Sequence, residues 1–135
     1  REDNAYADAV EASVPPGTIA WRGFLPTQAL QLELRQCRAL INTPKWNEAY
    51  GNVVVEALAC GVPVVAYDRG GPGELICSGK TGFLVRPDDV VALTQALRDV
   101  KSIDRRACRA WVEEHAAQEV FARRVEAWIA DGLLH

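Results

Sequence analysis

Residues 57–67 read ALACGVPVVAY, and this stretch constrains the fold more than any other. A strand with one face in water alternates apolar and polar side chains. Val62 to Tyr67 is apolar without alternation, so both of its faces must be covered, as in a parallel sheet. The segment before it, from about Asn52 to Cys60, reads as a helix that is apolar nearly all round and therefore buried. Gly61 stands at the C′ position of that helix and Pro63 follows two residues later, both common helix stops. A buried helix feeding a doubly covered strand is a unit of an α/β sheet.

The rest of the chain extends this pattern. Helices are expected over Asp3–Ser13, from Pro26 through Leu30, Leu32 and Leu34, over Leu75–Cys77, Val90–Val100, Asp104–Ala116 and Gln118–Ala130. Strands are expected at Thr18–Phe24 (TIAWRGF), Arg38–Asn42 (RALIN), Val62–Tyr67 and Phe83–Val85. Strand and helix thus alternate four times before helices close the chain, giving an open, mostly parallel α/β sheet flanked by helices. In such sheets ligands sit beyond the carboxyl ends of the strands. The loops there are Phe24–Thr27, Thr43–Gly51, Asp68–Glu74 and Arg86–Asp88, and the middle two hold the unusual residues.

The first of these loops leads into a pair of acids in NEAYGNVVVEALACG, with Glu48 just before the helix and Glu56 inside it. The N–H groups of a helix's first turn have no internal partners, and the dipole makes that end partly positive, so it can hold phosphate or hydroxyl oxygens. Gly51 carries no side chain to block a ligand at that tip. Glu48, three residues upstream, only accepts hydrogen bonds when ionised, and vicinal hydroxyls such as those of a sugar are natural neutral donors to it. Glu56 lies roughly 6–8 Å along the axis from the tip, within reach of a ribose diol. The alternative is that both acids are merely solvated. A lone glutamate on an otherwise buried helix, however, needs a partner or a cleft. Gly70-Gly71-Pro72-Gly73-Glu74 is a second turn that exposes backbone, at the end of the next strand.

Composition excludes several other classes. The net charge is −3 with both signs interspersed, which argues against nucleic acid or an anionic membrane as the main partner. No apolar run approaches the roughly 18 residues of a membrane span. Cys37, Cys60, Cys77 and Cys108 form no C-x-x-C pair, so reduced thiols in a cytoplasmic protein are expected rather than zinc ligation or a disulfide framework. His115 and His135 have no partner acid or nucleophile placed near them by any pattern.

The run from Thr43 to Val85 resembles the C-terminal domain of glycosyltransferase family 4, retaining enzymes of the two-domain GT-B fold. The resemblance is carried by the E-x7-E pair Glu48/Glu56, by EALACGVPVVA, by G-G-x-x-E from Gly70 to Glu74 and by G-x-x-G-F-L-V from Gly79 to Val85. The closing FARRVEAWIADGLL is similar to that family's last helix. The resemblance implies a Rossmann-like domain over 1–135, the C-terminal half of a GT-B enzyme with closing helices. It also implies that Glu48 is the catalytic-site acid that binds hydroxyls of the transferred sugar. The backbone at Tyr50, Gly51, Asn52 and Val53 would meet sugar or diphosphate, and Glu56 the ribose. Gly23, Phe24 and Leu25 would lie near the base, and Gly70, Gly71 and Glu74 would shape the neighbouring wall. The donor would be a nucleoside-diphosphate sugar, UDP-glucose-like on family frequency, with no metal and no resident cofactor.

The family's Arg and Lys clamp on the diphosphate has no match here, and Arg22 stands in the wrong strand. The chain starts at Arg1 rather than Met. We therefore expect a donor-binding fragment that lacks its first strands and the N-terminal acceptor domain, and that is inactive alone. Its sheet edge and a face of the last helix (Phe121, Val125, Trp128, Ile129) should be exposed and prone to self-association. The expected setting is cytoplasmic, with a peripheral place at a membrane surface open to the intact protein. A GT-B epimerase or phosphorylase lacks support in the motifs. A non-catalytic sugar-nucleotide-binding or scaffolding module of the same fold is the alternative from a different class.

Overall fold

A computed structural model describes residues 4–134 of the chain, apart from the side chains of Phe121, Leu133 and Leu134. The expectations that fall on Asp3, His135 and the Phe121 side chain lie outside the described residues. The chain divides into two compact units, Arg1–Leu30 and Gln31–His135.

The first unit contains helix α1 (Ala5–Ala12), capped by the Asn4 side chain, which accepts from the N–H groups of Tyr6 and Ala7. The indole N–H of Trp21 donates to the Glu11 carboxylate. The strand expected at Thr18–Phe24 does not form. Among the described residues no ladder includes this segment, and β propensity without a neighbouring strand leaves backbone groups unpaired. Local turns take over instead. The N–H and hydroxyl of Thr18 both donate to the Pro15 carbonyl, and Gly23 has φ +63°.

Helix α2 (Thr27–Gln36) begins in the first unit and ends in the second. The second unit then runs β1 (Leu40–Asn42), α3 (Asn52–Ala59), β2 (Val64–Tyr67), α4 (Pro72–Leu75), β3 (Gly82–Val85), α5 (Val90–Asp99), α6 (Arg105–His115) and α7 (Gln118–Leu134). The sheet is parallel throughout, in the order β1-β2-β3, with Asn42 opposite Ala66 and Tyr67 opposite Val85. The described residues thus form three strands rather than four. The architecture is the expected parallel sheet flanked by helices.

All four residues of β2 are buried, as its unbroken apolar run requires. Val54, Ala57 and Leu58 of α3 join Val62 and Val64–Ala66 at zero exposure, and each of the larger side chains contributes roughly 1.5–3 kcal/mol by leaving water. Helix α3 ends in a Schellman motif, with Val62 N–H donating to Ala57 and Gly61 N–H to Leu58, each at 2.9 Å. The helix expected at Leu75–Cys77 lies earlier, at Pro72–Leu75. Proline is suited to the first helical turn, and beyond it Ile76 is extended while Cys77 N–H donates to the Thr81 hydroxyl. Asp89, not Asp88, caps α5 by accepting from Ala92 N–H.

Helix α6 packs on α3. Its first residue, Arg105, reaches back to the end of α2 and donates to the carbonyls of Cys37 (2.8 Å) and Arg35 (3.0 Å). On α7, Trp128 and Ile129 are exposed, and Ile41 is exposed on β1, which pairs only with β2 among the described residues.

Cys108 on α6 is fully buried, with Sγ 3.6 Å from the Thr81 carbonyl. Burial pushes its thiol up to about 11, against an opposing pull from the nearby Arg105 charge. The unfolded thiol, near 9.0, loses its proton first, so this group's contribution to stability is complete below that pH and lost as pH rises towards 11. Urea melts between pH 8 and 11 should show stability falling more steeply for the parent chain than for Cys108→Ala. Equal slopes would show that the buried thiol plays no part.

Candidate functional site

The second unit brings the carboxyl ends of β1 and β2 together and continues them into two loops that hold each other. Beyond Asn42 the chain leaves the sheet for residues 43–47 and returns at Glu48, which forms a parallel bridge with Gly70. Glu48 N–H donates to the Arg69 carbonyl at 3.3 Å, and Gly71 N–H donates to the Glu48 carbonyl at 2.7 Å. The approach is close enough to exclude side chains. A Cβ on Gly70 would stand 2.2 Å from the Glu48 carbonyl oxygen, and one on Gly71 would stand 2.3 Å from that of Tyr50.

Three residues past the bridge, Gly51 turns the chain into α3 with φ +93°, a left-handed conformation that glycine adopts without penalty. Val54 and Val55 N–H groups both return to the Gly51 carbonyl, and no side chain caps the helix. The leading N–H groups, of Asn52 and Val53, therefore belong to the open end of an eight-residue helix whose dipole favours anions and oxygen acceptors. Asn52 and Val53 are themselves exposed.

Glu48 is half-buried and Glu56, one turn into α3, is exposed. The helix expected to be buried nearly all round is buried only along Val54, Ala57 and Leu58; Asn52, Val53 and Glu56 face solvent on its other side, so Glu56 needs no buried partner. Tyr50 is exposed and lines a cavity of about 620 Å³ with His115, Ala116, Gln118 and Arg124 from the α6–α7 corner. His115 stacks on Trp111 at 4.8 Å, and because the Trp111 carbonyl can only accept, the His115 Nδ1 at 3.0 Å from it carries a proton. Gly70 and Gly71 stand where the bridge forms, and Glu74 is exposed in the first turn of α4. Gly23, Phe24 and Leu25 lie in the first unit, where Phe24 is almost wholly exposed. The described residues contain no cluster of three or more His, Cys, Asp or Glu suited to a metal ion.

Two residues at these strand ends were not singled out from the sequence. Arg69 donates to the Pro44 carbonyl at 3.0 Å and pairs with Asp88 at 2.5 Å. Asn42 ends β1 with a buried Nδ2 that has no hydrogen-bond partner in the structure. The available signals were an arginine at a strand end and a polar residue closing an apolar strand, both weak without a third dimension.

An open parallel sheet with an uncapped helix beyond its carboxyl end defines an α/β domain of the class that takes ligands at that end. The family model for glycosyl transferases group 1 matches residues 8–118, and the chain belongs to that family. It is 36% identical over 109 residues to the D-inositol 3-phosphate glycosyltransferase of Mycolicibacterium smegmatis, covering 79% of this chain and 25% of that protein. It is 33% identical over 129 residues to the enzyme of the same name from Rhodococcus erythropolis, covering 93% of this chain and 28% of that protein. The chain thus spans about a quarter of the length of these curated relatives. The crystal structure of Anabaena HepE in complex with UDP-glucose shares the fold, with a TM-score of 0.68 at 21% identity, covering 93% of this chain and 37% of that one. The parallel sheet flanked by helices that is expected for one half of a GT-B enzyme is therefore the observed fold.

Proposed function

We propose that this chain is the donor-binding part of a retaining glycosyltransferase that takes a nucleoside-diphosphate sugar, UDP-glucose-like, and is inactive without an acceptor-binding domain. The observation that carries this reading is the placement of Glu48. Its backbone is bridged to Gly70 and Gly71, three residues ahead of an uncapped helix mouth. Gly51 itself is buried against Pro72 and Leu75, so the open N–H groups of Asn52 and Val53 receive the diphosphate or sugar oxygens, Glu48 accepts from sugar hydroxyls, and Glu56 accepts from the ribose diol. Tyr50 flanks the mouth, and Gly70, Gly71 and Glu74 form the adjoining wall. HepE, which shares the fold, was crystallised in complex with UDP-glucose, and this supports the same class of donor here.

In this reading the diphosphate leaves with its charge stabilised by fixed backbone dipoles, and no resident cofactor or metal is called for. The partners are the nucleotide sugar and an acceptor domain, not nucleic acid. The exposed Ile41 edge and the Trp128 and Ile129 face of α7 are where self-association would occur. No helix among the described residues is long and apolar enough to cross a membrane. Independently of that, our reading sets the intact protein in the cytoplasm or peripherally at a membrane surface.

Titration of the intact polypeptide that contains these residues with UDP, GDP and ADP tests the donor site. We expect UDP to saturate it and Glu56→Gln to weaken that binding about tenfold, the loss of one hydrogen bond to a charged group. Unaltered UDP affinity would remove Glu56 from the site. Saturable binding with no sugar transfer to any acceptor would favour a non-catalytic binding module. Full turnover by the 135-residue piece would overturn its inactivity in isolation.

A further inference from the structure

We propose that Arg69 is a positioning residue for Glu48, fastening the acid's loop at both ends; this rests on the reading of Glu48 as the sugar-binding acid. Residues 43–48 must leave β1 and return to the bridge with Gly70, where main-chain hydrogen bonds hold Glu48 to Arg69 and Gly71. Arg69 takes part at both ends of this loop. Its carbonyl accepts the Glu48 N–H at 3.3 Å, and its guanidinium donates to the Pro44 carbonyl at 3.0 Å, four residues earlier in the same loop. The other guanidinium nitrogen pairs with Asp88 at 2.5 Å, beyond β3, and the group lies 5.9 Å from the centre of the Tyr67 ring. Arg69 N–H turns back to the Tyr67 carbonyl at 2.9 Å, which fixes the backbone from which both interactions start.

The two ends of the guanidinium differ in what they do. Asp88 is 66% exposed, so its ion pair adds little to stability and mainly orients the side chain. The hydrogen bond to Pro44 is the one that matters for the loop. The Arg69 side chain is only 19% exposed, and a planar group with diverging donors can hold a carbonyl and a carboxylate at once. A lysine ammonium on a flexible stem can reach either acceptor but does not hold both in a fixed geometry. Misplacement of a reacting group by about 1 Å can cost on the order of 100-fold in rate, so loosening this loop should act on turnover more than on donor affinity.

The test uses Arg69→Ala and Arg69→Lys in the intact polypeptide, with Glu48→Gln as reference. Amide hydrogen exchange should quicken about tenfold or more at Glu48 and Gly71 in Arg69→Ala, while Val64–Ala66 in β2 stay protected. Donor turnover should fall about 10–100-fold in kcat with KM changed less than about threefold, and Arg69→Lys should recover part of both losses. The double variant Glu48→Gln/Arg69→Ala should be no slower than Glu48→Gln. Unchanged exchange at Glu48 and Gly71, faster exchange in β2 in step with them, or additive rate losses would each overturn the role of Arg69. If Glu48→Gln alone transfers sugar like the parent, the acid's role falls and that of Arg69 with it, a result distinct from unaltered exchange.

Discussion

Replacing Glu48 by Gln should lower sugar transfer about 100–1,000-fold while leaving the fold intact. That is the size of effect expected when one charged or strongly polar interaction is removed from a reacting centre. Gln keeps the shape of the side chain, but one of two acceptor oxygens becomes a donor, and a group that must accept from two adjacent hydroxyls then opposes one of them. The backbone of residue 48 makes both bridge hydrogen bonds, to Arg69 and Gly71, and these do not depend on the side chain. Stability should therefore stay within about 0.5 kcal/mol of the parent, as for an ordinary surface exchange. Steady-state assays of the intact polypeptide with a nucleotide-sugar donor, beside urea melts of the same preparations, check both halves. A variant within threefold of the parent rate would remove Glu48 from the chemistry.

Gly70→Ala should be the most damaging small substitution in the site, costing about 2–4 kcal/mol of stability. Two penalties combine. The residue has φ +74°, where an L side chain costs roughly 1–2 kcal/mol. Its methyl would also lie 2.2 Å from the Glu48 carbonyl oxygen and 3.1 Å from the Glu48 nitrogen, so the bridge itself must part. Each main-chain hydrogen bond given up is worth about 1 kcal/mol. Gly79→Ala is the control. It has φ +83° but nothing within 4 Å of an added Cβ, so it carries the conformational penalty alone. Equal losses for the two in denaturant melts would show that the close approach to Glu48 is unimportant. Beyond stability, the Gly70 variant should transfer sugar poorly even under conditions where it is fully folded, because Glu48 has been pushed away.

Much of this was legible in the sequence, and the parts that were not share a cause. The run Val62–Tyr67 became β2 with every position buried, and α3 ended at the glycine that its pattern marked. These signals are local: an unbroken apolar run, an apolar helix and a terminating residue within a few positions of each other. The parallel sheet followed from them, and the resemblance to the family rested on the motifs between Glu48 and Val85. Thr18–Phe24 has equally good strand chemistry and formed none, because a strand exists only with a neighbour and nothing within seven residues reveals one. The short helix shifted to Pro72 because proline at a first turn outweighed the apolar residues behind it. Arg69 escaped notice because its partners Pro44 and Asp88 lie 25 and 19 residues away. The buried amide of Asn42 is equally silent in one dimension.

The bridge between Glu48 and Gly70 has a consequence for how a donor would be met. An acid carried on a free loop must surrender its backbone freedom on each encounter, at roughly 1–2 kcal/mol for every residue fixed. Here that freedom is given up once, as the chain folds, and only the side-chain torsions of Glu48 remain to be settled on arrival. Association of a donor with Glu48 should then show a small entropic penalty and little change in main-chain dynamics across residues 43–51: a lock already cut, not a hand that closes.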